Sequence, residues 1–335
     1  MYRHLLVPLD GSDLSIETVS RAVNLARVLG ARISFLHVHD RHAKSVDGER
    51  DPLDFAAPTE YVDGYQQRAL LTKAEAAARA LGVPCTSSIR VDDHPHEAIL
   101  DMARQADCDL IFMASRSGRA AVDVPLGSQT LKVLAAGVLP VLVSSTRNTE
   151  RTHPLVDAFR DEHCSLATVL NAWLHLLDHC DRQDSAADVD LMRIMAHYIA
   201  EFPLALDQPK EYDYLFLVLR SRTALVNAEL DELERQHERE RVMAETLGSL
   251  VERYGQRQAT LAQLRGAVET YAHFMWEHMG RVEGVILPAA QRYLTEADWN
   301  EIQSAATRPD GPRARGETRA AWQQLFSRIA QHAPP

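Results

Sequence analysis

The sequence reads as two folds in series. An α/β domain with a five-stranded parallel sheet and flanking helices comes first, and an all-α domain built as a four-helix up-down bundle follows. Three observations carry this reading. Up to about residue 145, short apolar runs alternate with amphipathic segments, the pattern of strand–helix–strand units. A polar stretch then interrupts the chain and the strand signal stops. Beyond it, apolar residues recur only at helical spacing, in four long segments. A length of 335 residues suits two domains with a core each.

Arg3–Leu9 is expected as a buried strand closed by Asp10-Gly11-Ser12. In Ser15–Leu29, Ile16, Val19, Val23 and Ala26 fall at helical spacing, and Gly30 stops the helix. Arg32–Val38 is the second strand, Glu60–Leu81 an Ala-rich helix ending at Gly82, and Cys85–Val91 the third strand. His96–Ala106 is a helix, Leu110–Ala114 the fourth strand, Ser128–Ala136 a helix and Pro140–Ser144 the fifth strand. Such a sheet holds its ligand beyond the carboxyl ends of the strands. In the second half, helices are expected over roughly 153–180, 188–219, 223–253 and 258–292, with a short one near 295–306. The expected divisions are a first domain at 1–146, a linker at 147–152, the bundle at 153–306 and a tail at 307–335.

Composition narrows the function classes. Hydrophobic residues make up 46% and charged residues 25%, an ordinary soluble balance. The net charge of −11 argues against nucleic acid and against an anionic membrane surface, both of which ask for a basic footprint. The larger share of the excess acid falls after residue 150. No apolar run reaches the roughly 18 residues of a membrane span. The opening MYRHLLVPLDGSD lacks the basic flank and apolar core of a secretory signal, so a cytoplasmic location is expected. Cys85, Cys108, Cys164 and Cys180 form no CxxC pair and are expected as buried free thiols.

The informative stretch of the first half is ASRSGRAAVDVPLGS, residues 114–128. It leaves the fourth strand through small residues and enters a helix at Gly127-Ser128, where unpaired N–H groups and the Ser128 hydroxyl suit a phosphate. Arg116 and Arg119 add positive charge. With Val7-Pro8-Leu9-Asp10-Gly11-Ser12 and Pro140-Val141-Leu142-Val143, this loop makes residues 1–146 resemble the universal stress protein family. In ATP-binding members the loop reads G-x2-G-x9-G-[ST]. The matching positions here are Ala114, Ser117, Gly127 and Ser128, with the spacing kept and two glycines replaced by small residues. The resemblance implies ATP or a related adenine nucleotide. Asp10 and the Val38 backbone would meet the base and ribose, and Ser117, Gly127 and Ser128 the phosphates. It also implies a homodimer paired through Pro140–Ser144.

In the second half, His163, the pair Asp207 and Glu211 four apart, His237, and the pair His278 and Glu283 provide one candidate ligand group per helix. Imidazole with carboxylate suits iron. The PKE-x3-LF run, His278-x4-Glu283, Leu287-Pro288 and Leu294-Thr295-x2-Asp298-Trp299 make residues 153–306 resemble the hemerythrin-like (HHE cation-binding) family. The resemblance implies a non-haem iron pair held by His163, Glu211, His237, His278 and Glu283. Asp207 stands where the family commonly places a histidine. His175 and His179 are expected on the exposed part of the first helix, Cys164 as a packed thiol, and Phe274, Met275 and Trp276 in the core.

Together these features suggest a cytoplasmic stress-response sensor. Its bundle would bind O2, NO or peroxide, or respond to iron and redox state, and its first domain would bind ATP or dimerise. The competing readings are a di-iron enzyme that reduces or activates O2, NO or peroxide, and a metal-free interaction or iron-storage module. No residue is assigned as catalytic. An ATPase is disfavoured because no P-loop lysine stands beside Ser128.

Overall fold

The computed structural model describes residues 1–11, 13–39, 59–115, 126–144, 153–203 and 211–306, with 324, 325, 327 and 329; within these, the side chains of 13–16, 59–63, 211–213, 305 and 306 are not described. Two compact units emerge. One gathers Met1–Glu49, Gln67–Arg151 and Met279–Pro288, and the other gathers Arg50–Gln66, Thr152–His278 and Ala289–Pro335.

The first unit is built on β1 (His4–Leu9), β2 (Arg32–His39), β3 (Cys85–Val91), β4 (Leu110–Ala114) and β5 (Val141–Ser144). All neighbours pair in parallel, in the order β3-β2-β1-β4-β5. The helices are α1 (Asp13–Leu29), α2 (Thr59–Ala80), α3 (Pro95–Gln105) and α4 (Ser128–Ala136). The five-stranded parallel sheet with flanking helices is therefore present. Alternation along each strand sends side chains to opposite faces. Leu5, Val7 and Leu9 pack with Val23 and Ala26 of α1 and Ala74 and Ala77 of α2. Leu6, Leu36, Ile111 and Met113 pack instead with Ile99 and Ala103 of α3 and Val133 of α4. Strand order reverses between β1 and β4, which splays the loops there and opens a crevice. Gly137 closes α4 at φ 61°, the left-handed conformation that glycine adopts without strain, and its N–H bonds Leu134 O.

The second unit is helical, as expected. Its elements include α5 (Pro154–Arg182), α6 (Val189–Phe202), α7 (Leu217–Arg222), α8 (Asn227–Gly255), the part of α9 (Leu261–Arg281) up to His278, the part of α10 (Leu287–Tyr293) from Ala289, and α11 (Glu296–Ala306). Residues 189–222 are not one uninterrupted α-helix, because Glu211–Phe216 forms a π-helical turn before α7. A second π-helical turn, Val282–Ile286, separates α9 from α10. Local signals place the helix starts. The Asp188 carboxylate accepts from the N–H groups of Asp190 and Leu191 at the start of α6. Thr295 and Asp298 cap α11 reciprocally. Trp173, Leu177, Met195, Ile199, Leu233 and Met275 are among the buried core residues.

Three bland sequence expectations are settled here. Phe274, Met275 and Trp276 are buried, as expected. Cys164 is exposed rather than packed, because it lies on the outer side of α5 beside the buried His163. His175 is half-buried rather than exposed: its ring meets Tyr65 edge-on at 5.3 Å, and burial lowers its pKa. Among the described residues, no helix is long and apolar enough to cross a membrane.

Candidate functional site

The crevice at the β1/β4 reversal is a cleft of about 180 Å3. Leu9, Asp10, Val38, Met113 and Ala114 come from the carboxyl ends of β1, β2 and β4, Pro95 and Ile99 from α3, and Gly127, Ser128, Gln129 and Thr130 from the start of α4. Five expected nucleotide residues thus share one cleft: Asp10, Val38, Ala114, Gly127 and Ser128. Arg116 and Ser117 lie outside the described residues.

Local chemistry explains the placement. Asp10 follows directly on β1 and precedes Gly11 at φ 83°, a left-handed conformation that glycine adopts without strain. His37 Nδ1 bonds Leu9 O at 2.9 Å and tethers the β1 end to β2. The Thr130 hydroxyl donates to Ala114 O at 3.2 Å, holding α4 against the end of β4. Ala114 is the last residue of β4 and is absent from the positive-φ residues, so the β-carbon that replaces a family glycine brings no backbone strain. Gly127 also sits in extended conformation, at φ −68° and ψ 157°.

The Gly127 N–H donates to Ser115 O at 2.8 Å. The Ser128 side chain is exposed at the cleft mouth. Sequence reasoning missed Gln129, whose Oε1 accepts from the His96 N–H at 3.2 Å and so links α4 to α3. The only signal was a long polar side chain directly after Gly127-Ser128.

In the second unit, three of the expected metal ligands are buried together. His163, His237 and His278 are 1%, 9% and 2% exposed. The ring centroids of His237 and His278 lie 5.0 Å apart, and those of His163 and His278 lie 6.3 Å apart. Gln236 Oε1 can only accept, so its 3.2 Å contact places the His278 proton on Nδ1 and leaves Nε2 as a lone-pair donor when the ring is neutral. The buried Tyr271 hydroxyl donates to Glu240 Oε1 at 3.2 Å, and burial with that carboxylate raises the Tyr271 pKa well above its usual value. Sequence reasoning missed Gln236, Glu240 and Tyr271, which look like ordinary members of polar and apolar helix stripes.

The carboxylates do not complete an iron pair among the described residues. Asp207 lies outside them, and so does the side chain of Glu211. Glu283, expected as a ligand, belongs to the first unit and accepts from Lys73 Nζ at 2.9 and 3.2 Å. Among the described residues, no group of three or more His, Cys, Asp and Glu side chains is placed to hold a metal ion. Of the expected donors, the described side chains of this unit supply three imidazoles, and the carboxylates of Asp207 and Glu211 lie outside the described residues.

Comparison with known proteins bears on the first half. Residues 1–145 match the universal stress protein family model. Universal stress protein YxiE of Bacillus subtilis is 29% identical over 149 residues, which is 43% of this chain and 99% of that protein. The universal stress protein in the QAH/OAS sulfhydrylase 3'region of Thermus aquaticus is 32% identical over 143 residues, 43% of this chain and 98% of that protein. Among solved structures, the universal stress protein from Archaeoglobus fulgidus in complex with dAMP is 19% identical. It covers 42% of this chain and 97% of that one, with a TM-score of 0.31.

Proposed function

The chain belongs to the universal stress protein family through its first 145 residues, and from that premise we propose that its α/β unit binds an adenine nucleotide in the β1/β4 cleft. The observation that carries this reading is the cleft itself. It combines apolar walls at Leu36, Ile99 and Met113 with a carboxylate at Asp10 and a hydroxyl at Ser128. Apolar walls suit a purine ring. A carboxylate beside them accepts from ribose hydroxyls or an exocyclic amine. Val38 offers backbone groups at the base end, and Ser128 stands at the start of a helix, the end suited to phosphate. Ser117 and Arg116 are proposed on the phosphates from the loop. The reading is one of nucleotide binding, with the Asp10 carboxylate and the Ser128 hydroxyl as the described polar groups that meet it. Isothermal titration of the full chain with ATP, AMP and adenosine tests the reading. Asp10→Ala is expected to weaken all three. A wild-type chain that binds none of them rejects it.

In this reading the protein is a cytoplasmic stress-response protein that works as a homodimer. A second reading concerns residues 153–306 as a hemerythrin-like up-down bundle. It is favoured by the three buried imidazoles and by the π-helical turns that begin at Glu211 and one residue before Glu283, since such turns recur at functional sites. The proposed ligands are His163, Asp207, Glu211, His237 and His278; Glu283, expected with them from the sequence, pairs with Lys73 in the first unit. Iron per chain after anaerobic purification tests this. About two per chain supports it and makes O2, NO and peroxide the next titrants. Near zero after iron loading leaves the second unit as an interaction module.

A further inference from the structure

We propose that Gln129 is a residue by which the cleft distinguishes a phosphorylated ligand from a bare nucleoside; this rests on the nucleotide reading of the same cleft. The starting point is how the donors of the described cleft lining are already used. In the cleft lining, the Gly127 N–H is spent on Ser115 O, and the Thr130 hydroxyl is spent on Ala114 O. Neither backbone glycine nor threonine side chain can therefore give a proton to an anion without breaking an existing bond.

Gln129 adds a side-chain donor beside the Ser128 hydroxyl. Its two amide ends are chemically different: the oxygen only accepts and the nitrogen only donates. The partner at 3.2 Å is a backbone N–H, that of His96, so the oxygen must face α3. The NH2 group is thereby fixed as a two-proton donor on a residue that lines the cleft. The bridge also ties the start of α4 to the first turn of α3, which removes rotamers the free side chain would otherwise sample. A pre-oriented neutral donor favours an acceptor-rich group over a hydroxymethyl group. A phosphate bears that kind of acceptor, and the 5' end of adenosine does not.

The substitution Gln129→Glu separates the two roles. A carboxylate still accepts from the His96 N–H but offers no donor. Gln129→Met removes donor and acceptor without adding charge. The full chain and both variants are titrated calorimetrically with ATP, AMP and adenosine, with circular dichroism to confirm the fold. The wild type is expected to bind ATP and AMP more tightly than adenosine. Both variants are expected to lose ATP and AMP affinity by on the order of 10-fold, the size of a lost hydrogen bond to a charged group, and to keep adenosine affinity within about 2-fold. Three outcomes overturn the inference alone. Gln129→Met could match the wild type on ATP. Either variant could lose adenosine as much as ATP. The wild type could bind adenosine as tightly as ATP. A wild type that binds no nucleotide overturns the cleft reading, and the inference falls with it.

Discussion

Lys73 Nζ donates to both carboxylate oxygens of Glu283, at 2.9 and 3.2 Å, across 210 residues of sequence. The lysine side chain is 19% exposed and the glutamate 5%. Removing one partner of a buried pair strands the other charge. Lys73→Met is therefore expected to destabilise the chain by about 2–4 kcal/mol in urea unfolding. Pairing it with Glu283→Met should cost clearly less than the two single changes added together. Additive costs would mean that the contact carries no coupling.

The same helix segment comes unusually close to α2. A β-carbon built on Gly280 would overlap the Lys73 carbonyl oxygen and lie 2.6 Å from Lys73 Cα, and one on Gly284 would overlap the Ala77 methyl group. Backbone atoms cannot step aside as a flexible side chain can. Gly280→Ala is expected to cost at least ~2 kcal/mol through overpacking. Gly248, inside α8, has no atom within 4 Å of its added β-carbon. There the identical change is expected to stabilise by up to ~1 kcal/mol through helix propensity. Thermal melts of the two variants should move in opposite directions, and a stabilised Gly280→Ala would rule out the close approach.

These two contacts also show where the sequence is legible. β1 is read directly from His4–Leu9 because both faces are buried, and α4 from Ser128 to Gly137 because a helix start and a left-handed stop are local features. Asp10, Val38, Ala114, Gly127 and Ser128 could be brought to one cleft from the strand-end rule alone. Lys73 could not be matched to Glu283. In an Ala-rich helix it looks like a solvated charge, and its partner carried a stronger local pattern with His278. Gln129 was invisible for a related reason: its role depends on His96, which reaches it only through the packing of α3 on α4.

Acid sensitivity has an identified contributor in Asp298. Its carboxylate accepts from Arg222 Nη2 at 2.7 Å and Nε at 3.0 Å, and from the Thr295 N–H and hydroxyl at 2.7 Å each. The guanidinium first, and then the Thr295 N–H, hold its pKa well below the ordinary aspartate value. A carboxylate with a depressed folded pKa contributes stability above its unfolded pKa of about 3.9 and loses it as pH falls toward the folded value. The wild type is thus expected to lose stability from about pH 4 downward. Asp298→Asn should be less stable at pH 7 and show a shallower loss below pH 4. Parallel pH profiles for the two chains would remove Asp298 from the account.

The last prediction concerns self-association. β5 ends the sheet on one side, so among the described residues one of its edges has no partner strand. Around that edge Leu142 is 44% exposed, Leu131 and Leu134 of α4 are 49% and 38%, and Val138 is 40%. A bare strand edge beside exposed apolar side chains is the combination that proteins usually cover. Two copies related by a two-fold axis could pair β5 with β5 and bury these leucines together. Light scattering of the full chain at micromolar concentration should give twice the chain mass. Leu142→Asp should reduce it to the single mass with little change in unfolding midpoint at high dilution, because Leu142 is not part of the core. A wild-type monomer under these conditions would leave the edge to a different partner, and an unchanged dimer in Leu142→Asp would place the interface elsewhere.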